Sequence, residues 1–147
     1  MRLSAAEIVA ALRLSRHEEG GWYAETFRDP APEGGRGHST AIYFLLEKGE
    51  TSRWHRVKDA AEVWHFYAGA PLELCMAQPG VAATTSVLGT DLLRGERPQA
   101  VVPAGWWQQA RSLGDWTLVG CTVAPAFEFA GFELAPPDFR PETGAAD

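Results

Sequence analysis

The spacing of apolar and polar positions splits the chain into one short helical stretch and a long series of strands. Residues 4–14 (SAAEIVAALRL) carry the helical period, with Ala5, Ile8, Ala11 and Leu12 on one face. Ser4 and Glu7 have the S-x-x-E spacing of a capping box, and Leu3 and Ile8 the spacing of its hydrophobic staple. This helix is expected to pack over one end of the sheet system. Beyond a turn at Glu19-Gly20-Gly21 the period falls to two. WYAETFR (22–28) alternates as a strand, and DPAPEGGRGH (29–38), with two prolines and three glycines, reads as a loop with room to move. Residues 39–46 are continuously apolar, the pattern of a strand covered on both faces. Shorter strands follow at 72–78, 84–88 and 99–102. Residues 106–112 and 116–123 read as a pair around Leu113-Gly114-Asp115, and 126–134 as the last packed element. The segment from Pro136 is expected to fray. Many short strands at close spacing predict a single all-β barrel or sandwich over residues 1–135, with a flexible tail at 136–147.

The stretch GETSRWHRVKDAAEVWHFYAG (49–69) concentrates the candidate chemistry. Alternation puts Arg53, His55 and Val57 on one strand face and Glu62, Trp64 and Phe66 on one face of the next, with KDAA as a tight turn between them. An imidazole and a carboxylate would then meet across neighbouring strands among aromatic walls, which are the ingredients of a small-molecule pocket.

Composition narrows the function classes. The 147 residues carry a formal net charge of −6 and no basic cluster, so the footprint of a nucleic-acid binder is missing. No apolar run is long enough to cross a bilayer, and Ser4, Glu7 and Arg13 interrupt any secretory core. Cys75 and Cys121 lie in apolar runs and read as buried free thiols, with a lone disulfide as the alternative. A cytoplasmic location is expected. There is no Ser-His-Asp order, phosphate loop or Cys/His zinc spacing.

Gly49, His55, Glu62 and Gly69 match the cupin first motif, G-x5-H-x-H-x4-E-x6-G, with Val57 in place of its second histidine. Pro103, Gly105 and Gln108 match the end of the second motif, P-x-G-x2-H, with glutamine in place of histidine. The runs EGGWYAETFR, STAIYFLL, WHR, EVWHFYAG, RPQAVVPAG and GCTVAPAF resemble the short single-domain cupins of the cupin-5 family over nearly the whole chain. The resemblance implies a double-stranded β-helix barrel, a homodimer and an internal pocket. It also implies a fold-level analogy to sugar-nucleotide epimerase cupins.

A metal-dependent cupin typically uses three histidines and a glutamate. Here Val57 cannot ligate and the amide of Gln108 is a poor ligand, so no metal is expected; a metal, if held, would use His55, Glu62 and Gln108, with His38 able to swing in from its loop. Without metal, His55 and Glu62 are the candidate catalytic pair, the carboxylate fixing the tautomer of the imidazole. Gln108 supplies a donor and an acceptor. Trp64, Phe66 and Trp106 offer stacking faces, Arg53 an anion contact and Tyr43 a hydroxyl. The alternative is that His55 and Glu62 are relics satisfying each other. Glu25 and Arg28 fall on opposite strand faces, so both are not expected in the pocket; an ion pair at a dimer contact is their expected role. His65 and Tyr67 are expected outside the barrel, Trp22, Trp54, Trp107 and Trp116 in core or interface, and His17 at a helix C-terminus with no further role. The expected function is binding of a small polar metabolite such as a sugar or sugar nucleotide, with metal-independent isomerisation or epimerisation. The alternatives are a metal-dependent enzyme with a degenerate ligand set and a non-catalytic ligand-binding dimer.

Overall fold

The computed structural model describes residues 2–143. Helix α1 (Ala5–Leu12) is shorter than its sequence pattern. Its capping box forms as expected, and it ends where Arg13 turns left-handed at φ 56° and returns its N–H to Ala10 and Val9. The strands are β1 (Ser15–Arg16), β2 (Trp22–Arg28), β3 (Thr40–Glu47), β4 (His55–Val57), β5 (Ala61–Gly69), β6 (Leu72–Ala77), β7 (Thr84–Leu88), β8 (Gln99–Val102), β9 (Trp107–Ser112), β10 (Trp116–Ala124) and β11 (Phe132–Leu134). They form two sheets, ordered β1-β2-β3-β10-β5-β8 and β11-β4-β9-β6-β7. Apart from one isolated parallel bridge, Leu88 to Arg97, the pairings are antiparallel. The two sheets face each other as a double-stranded β-helix.

Two expected strand pairings give way to this topology. β9 and β10 are joined by a tight turn, yet β9 pairs with β4 and β6 while β10 pairs with β3 and β5. Likewise β4 and β5, carrying His55 and Glu62, belong to opposite sheets. Their side chains approach through the barrel interior, across the space between packed sheets, rather than along one sheet. In a jelly roll a short connection marks a crossing between sheets as readily as a hairpin.

Helix α1 packs on the outer face of the six-stranded sheet, not over its end. Ile8 and Leu14 meet Leu45 there, flanked by Tyr43, Trp22 and Leu118. This cover is why the apolar run of β3 can be buried on both sides. Inside the barrel, Phe44, Leu46, Trp64, Leu72, Leu74, Leu88, Val102, Ala110, Val119 and Cys121 form the main core. Gly69 closes β5 at φ 92°, where a Cβ would collide with Trp116, so the turn needs glycine.

The segment expected to fray makes contacts as far as residue 143. Phe139 packs 4.5 Å from Trp107 and 6.4 Å from Trp54, and Pro141 accepts from Gly80 N–H. The remainder of the expected tail, 144–147, lies outside the described residues. The 29–38 loop is also tied down: Arg36 donates to Ala126 O and to Asp59, and Ala126 N–H donates to Gly37 O. Cys121 is buried, whereas Cys75 points outward, half-buried beside Thr85; both thiols are free.

Candidate functional site

One end of the barrel is not filled. A cavity of about 240 Å³ opens there, with His55 and Val57 of β4 on one side and Glu62 of β5, Cys121 and Val123 of β10 on the other. Register explains the set. Across the six-stranded sheet, Thr40, Val123 and Glu62 form one row and Ile42, Cys121 and Trp64 the next. Each row turns its side chains inward, and rows two residues apart are separated by about 7 Å along the strand.

His55 does not pair with Glu62 as expected. Its Nδ1 donates to the backbone carbonyl of Arg53 at 2.8 Å, and its Nε2 lies 3.2 Å from Oε2 of Glu19. Glu19 comes from the turn before β2, a segment read only as a chain reversal. The turn is held by His17 N–H to Gly21 O, Gly20 N–H to His17 O and Arg53 N–H to Glu19 O, and Gly20 and Gly21 both have positive φ. That geometry drives the Glu19 side chain into the barrel mouth. It also brings in His17, whose Nδ1 accepts the Glu19 N–H at 3.1 Å and sits 3.4 Å from Oε1 of the same carboxyl. His17 therefore lines the cavity, against Tyr23 and Phe132, and does not cap the helix. No periodic signal marks these two residues. The clue was a histidine and two glutamates crowded before a Gly-Gly turn that leads straight into an aromatic strand.

Glu62 is held from behind. It accepts from Gln108 Nε2 at 2.8 Å, and Gln108 Oε1 accepts from the Trp64 indole N–H at 2.8 Å. Cys121 lines the cavity with Glu62. Gln108 is 1% exposed and does not reach the cavity; it aims Glu62 instead of meeting a ligand. The stacking faces are displaced as well. Trp64 belongs to the packed core, and Phe66 and Trp106 lie against that core. Arg53 turns away to donate to Ala135 O at 2.6 Å. Tyr43 lies on the opposite face of β3, edge-on to Tyr67 in the layer near the helix. His38 is exposed, and its backbone N–H donates to Asp29. His65 bonds Thr122 and, with Tyr67, stays on the outer face as expected.

Glu25 and Arg28 both line the cavity, contrary to their parity. A bulge between Glu25 and Phe27 inserts one residue, so Glu25 and Arg28 come to the same side. They pair at 2.7 Å at the rim, where Arg28 also donates to Phe127 O.

Burial sets the electrostatics of the floor. It lowers both imidazoles, His55 and His17, to about 4. It raises Glu62 to about 6 despite the hydrogen bond from Gln108. Burial, reinforced by the nearby charge of Glu62, holds Glu19 well above the carboxylate range, and burial pushes the Cys121 thiol up.

The donors do not suit a cupin metal. Val57 occupies a ligand position without a lone pair, Gln108 has both ends of its amide engaged, and His55 turns its remaining nitrogen to Glu19. Among the described residues no group of three or more His, Cys, Asp or Glu is arranged to hold a metal ion. No described helix is long and apolar enough to cross a membrane.

The family model described as Cupin_5, cupin superfamily (DUF985), matches residues 6–135. A crystal structure of a protein from Shewanella oneidensis is similar, with 41% identity, 91% of this chain and 85% of that chain covered, and a TM-score of 0.85. A hypothetical protein from Leishmania major has 28% identity over 90% of this chain and 88% of its own, with a TM-score of 0.81. A dTDP sugar isomerase from Desulfovibrio desulfuricans shares the fold at 16% identity, over 82% and 86%, with a TM-score of 0.60. No curated protein matches the sequence.

Proposed function

This chain belongs to the Cupin_5 family, and we propose that it binds a small polar metabolite of sugar type in its barrel and moves a proton on it without a metal, as an isomerase or epimerase does. The carrying observation is that His55 and Glu62, both buried, line the same cavity from opposite sheets. An imidazole and a carboxylate so placed reach one bound molecule from two sides, as transfer of a proton between two of its atoms requires. The volume of about 240 Å³ sits below the usual range of drug-sized sites, which favours a single sugar ring or open-chain sugar over a whole nucleotide inside the barrel. The likeness of fold to a dTDP sugar isomerase points to the same chemical class.

The test is solvent-deuterium incorporation, followed by NMR, into aldoses, ketoses and nucleotide-linked keto sugars. Wild-type protein exchanges at least one of them, and His55→Ala or Glu62→Gln slows that exchange about 10²–10⁴-fold while the fold persists. Exchange that survives both substitutions unchanged removes the proposal. A homodimer belongs to the same reading, supported by Tyr67 and Val101, exposed on β5 and its edge neighbour β8. So does a cytoplasmic location, which the two unpaired thiols favour.

A further inference from the structure

The hydrogen-bond directions around Glu19 fix where protons lie. A backbone carbonyl only accepts, so the bond to Arg53 O places hydrogen on Nδ1 of His55; burial, which lowers the ring to about 4, favours the neutral form and so leaves Nε2 with its lone pair. A backbone N–H only donates, so Nδ1 of His17 is also without hydrogen. Glu19 thus faces two ring nitrogens, at 3.2 and 3.4 Å, neither of which brings a hydrogen of its own. A carboxylate there would set lone pair against lone pair in a buried site. The other groups of the cavity lining around it offer no free cation: Glu62 from β5, Cys121 from β10 and Tyr23 from β2, with the guanidinium of the lining, Arg28, tied to Glu25 at the rim. Glu62 is in the opposite situation. Gln108 Nε2–H donates to it at 2.8 Å, which suits a carboxylate that accepts.

We infer that Glu19 holds a proton directed at Nε2 of His55, 3.2 Å away, and that this proton is the acid and Glu62 the base of the site. The inference rests on the functional reading above and divides its roles. The substrate class it implies is an uncharged α-hydroxy aldehyde or ketone no larger than a monosaccharide. Glu62 takes the proton from the carbon next to the carbonyl, and the C–H electron pair becomes the C=C bond. The carbonyl π pair moves to oxygen, which receives the proton held between Glu19 and His55, giving an enediol. In the second half the other enediol hydroxyl returns its proton to the Glu19–His55 pair. Glu62 then protonates the carbon that began as the carbonyl, and the site ends as it started. Burial raises both carboxyls, and their partners divide the roles: Glu19 faces two ring nitrogens, whereas Glu62 accepts from the Gln108 amide and stays nearer the carboxylate range.

Infrared spectroscopy of the whole protein near neutral pH reads this directly. Wild type is expected to show the C=O stretch of a buried protonated carboxylic acid, lost in Glu19→Gln and retained in Glu62→Gln. ¹⁵N NMR of His55 is expected to show hydrogen on Nδ1. With dihydroxyacetone, D-xylose and D-fructose as probes, Glu62→Gln lowers deuterium exchange about 10²–10⁴-fold while keeping the band. Glu19→Gln, which still donates to His55 but cannot release a proton, lowers exchange about 10²–10⁴-fold and removes its dependence on the stored proton at alkaline pH. A band absent from wild type, a band that persists in Glu19→Gln, or stoichiometric transition metal in protein purified without added metal overturns the stored proton. The intact band with no exchange of any probe keeps the proton and overturns the assigned roles and substrate class, so the two failures are distinct.

Discussion

The two ends of this barrel are built from the same strands and the same inward parity, yet one is solid and the other hollow. At the solid end, Phe44, Val119 and Phe66 sit in register across three strands, with Leu72, Leu74 and Leu88 facing them from the other sheet. At the hollow end, one or two rows away, the corresponding places are taken by Thr40, Val123 and Glu62, opposite His55 and Val57. The change is one of residue size and polarity along the strands, with no change of fold. The boundary runs through Cys121, which touches both the core and the cavity. Depth along the barrel axis, rather than the face of the strand, separates packing from chemistry here.

The comparison breaks first, if it breaks, at Trp64. This indole fills the solid end and supplies the hydrogen that Gln108 accepts. Trp64→Ala is expected to destabilise the protein by about 3–5 kcal/mol, measured by urea unfolding. A loss near zero would show the solid end to be loosely packed.

Acidification should sharpen the contrast next. His17 and His55 have folded pKa values near 4 against 6.5, so they favour the folded state above pH 6.5 and that contribution is lost as pH falls toward 4. Each is worth up to about 3 kcal/mol. Glu62, raised from 4.5 to about 6, acts in the opposite sense: its contribution is full below 4.5 and is lost as pH rises through 6, roughly 2 kcal/mol. Glu62→Gln removes the second effect and leaves both imidazole contributions in place. Its unfolding midpoint should therefore fall more steeply than that of wild type between pH 6 and 4.5, and parallel curves would deny Glu62 its raised pKa.

Smallest in energy, and closest to the contrast itself, is overfilling. Ala110→Leu, inside the core, is expected to cost about 1–3 kcal/mol, whereas Val57→Phe, facing the cavity, should cost less than about 1 kcal/mol while excluding ligand. Thermal unfolding of the two variants side by side decides it; equal losses would mean that the cavity has no spare room.

Much of the barrel was legible before any coordinates. The strand positions and the inward parity of His55, Val57, Glu62 and Trp64 follow from alternation, the capping box from its S-x-x-E spacing, and the double-stranded β-helix from the resemblance carried by the motifs. What alternation lacks is an axial coordinate, so Trp64, Phe66 and Trp106 could be assigned to the right face and the wrong depth. It also lacks phase within an unbroken apolar strand, which is how Tyr43 came to be expected inside. A single inserted residue at Thr26 reversed the expectation for Glu25 and Arg28. His17 and Glu19 were hidden for a different reason. A turn has no period, and its side chains are aimed by backbone hydrogen bonds made to residues such as Gly21 and Arg53.

The two bonds of Gln108 carry a consequence for reversibility. A histidine at this position, the residue that the motif specifies, would meet the same indole N–H and the same carboxylate. One ring nitrogen would be spent accepting and the other donating, with none left to bind an ion. Placing the motif's histidine here would not by itself create a metal ligand, because Trp64 and Glu62 engage both ends of the group at this position.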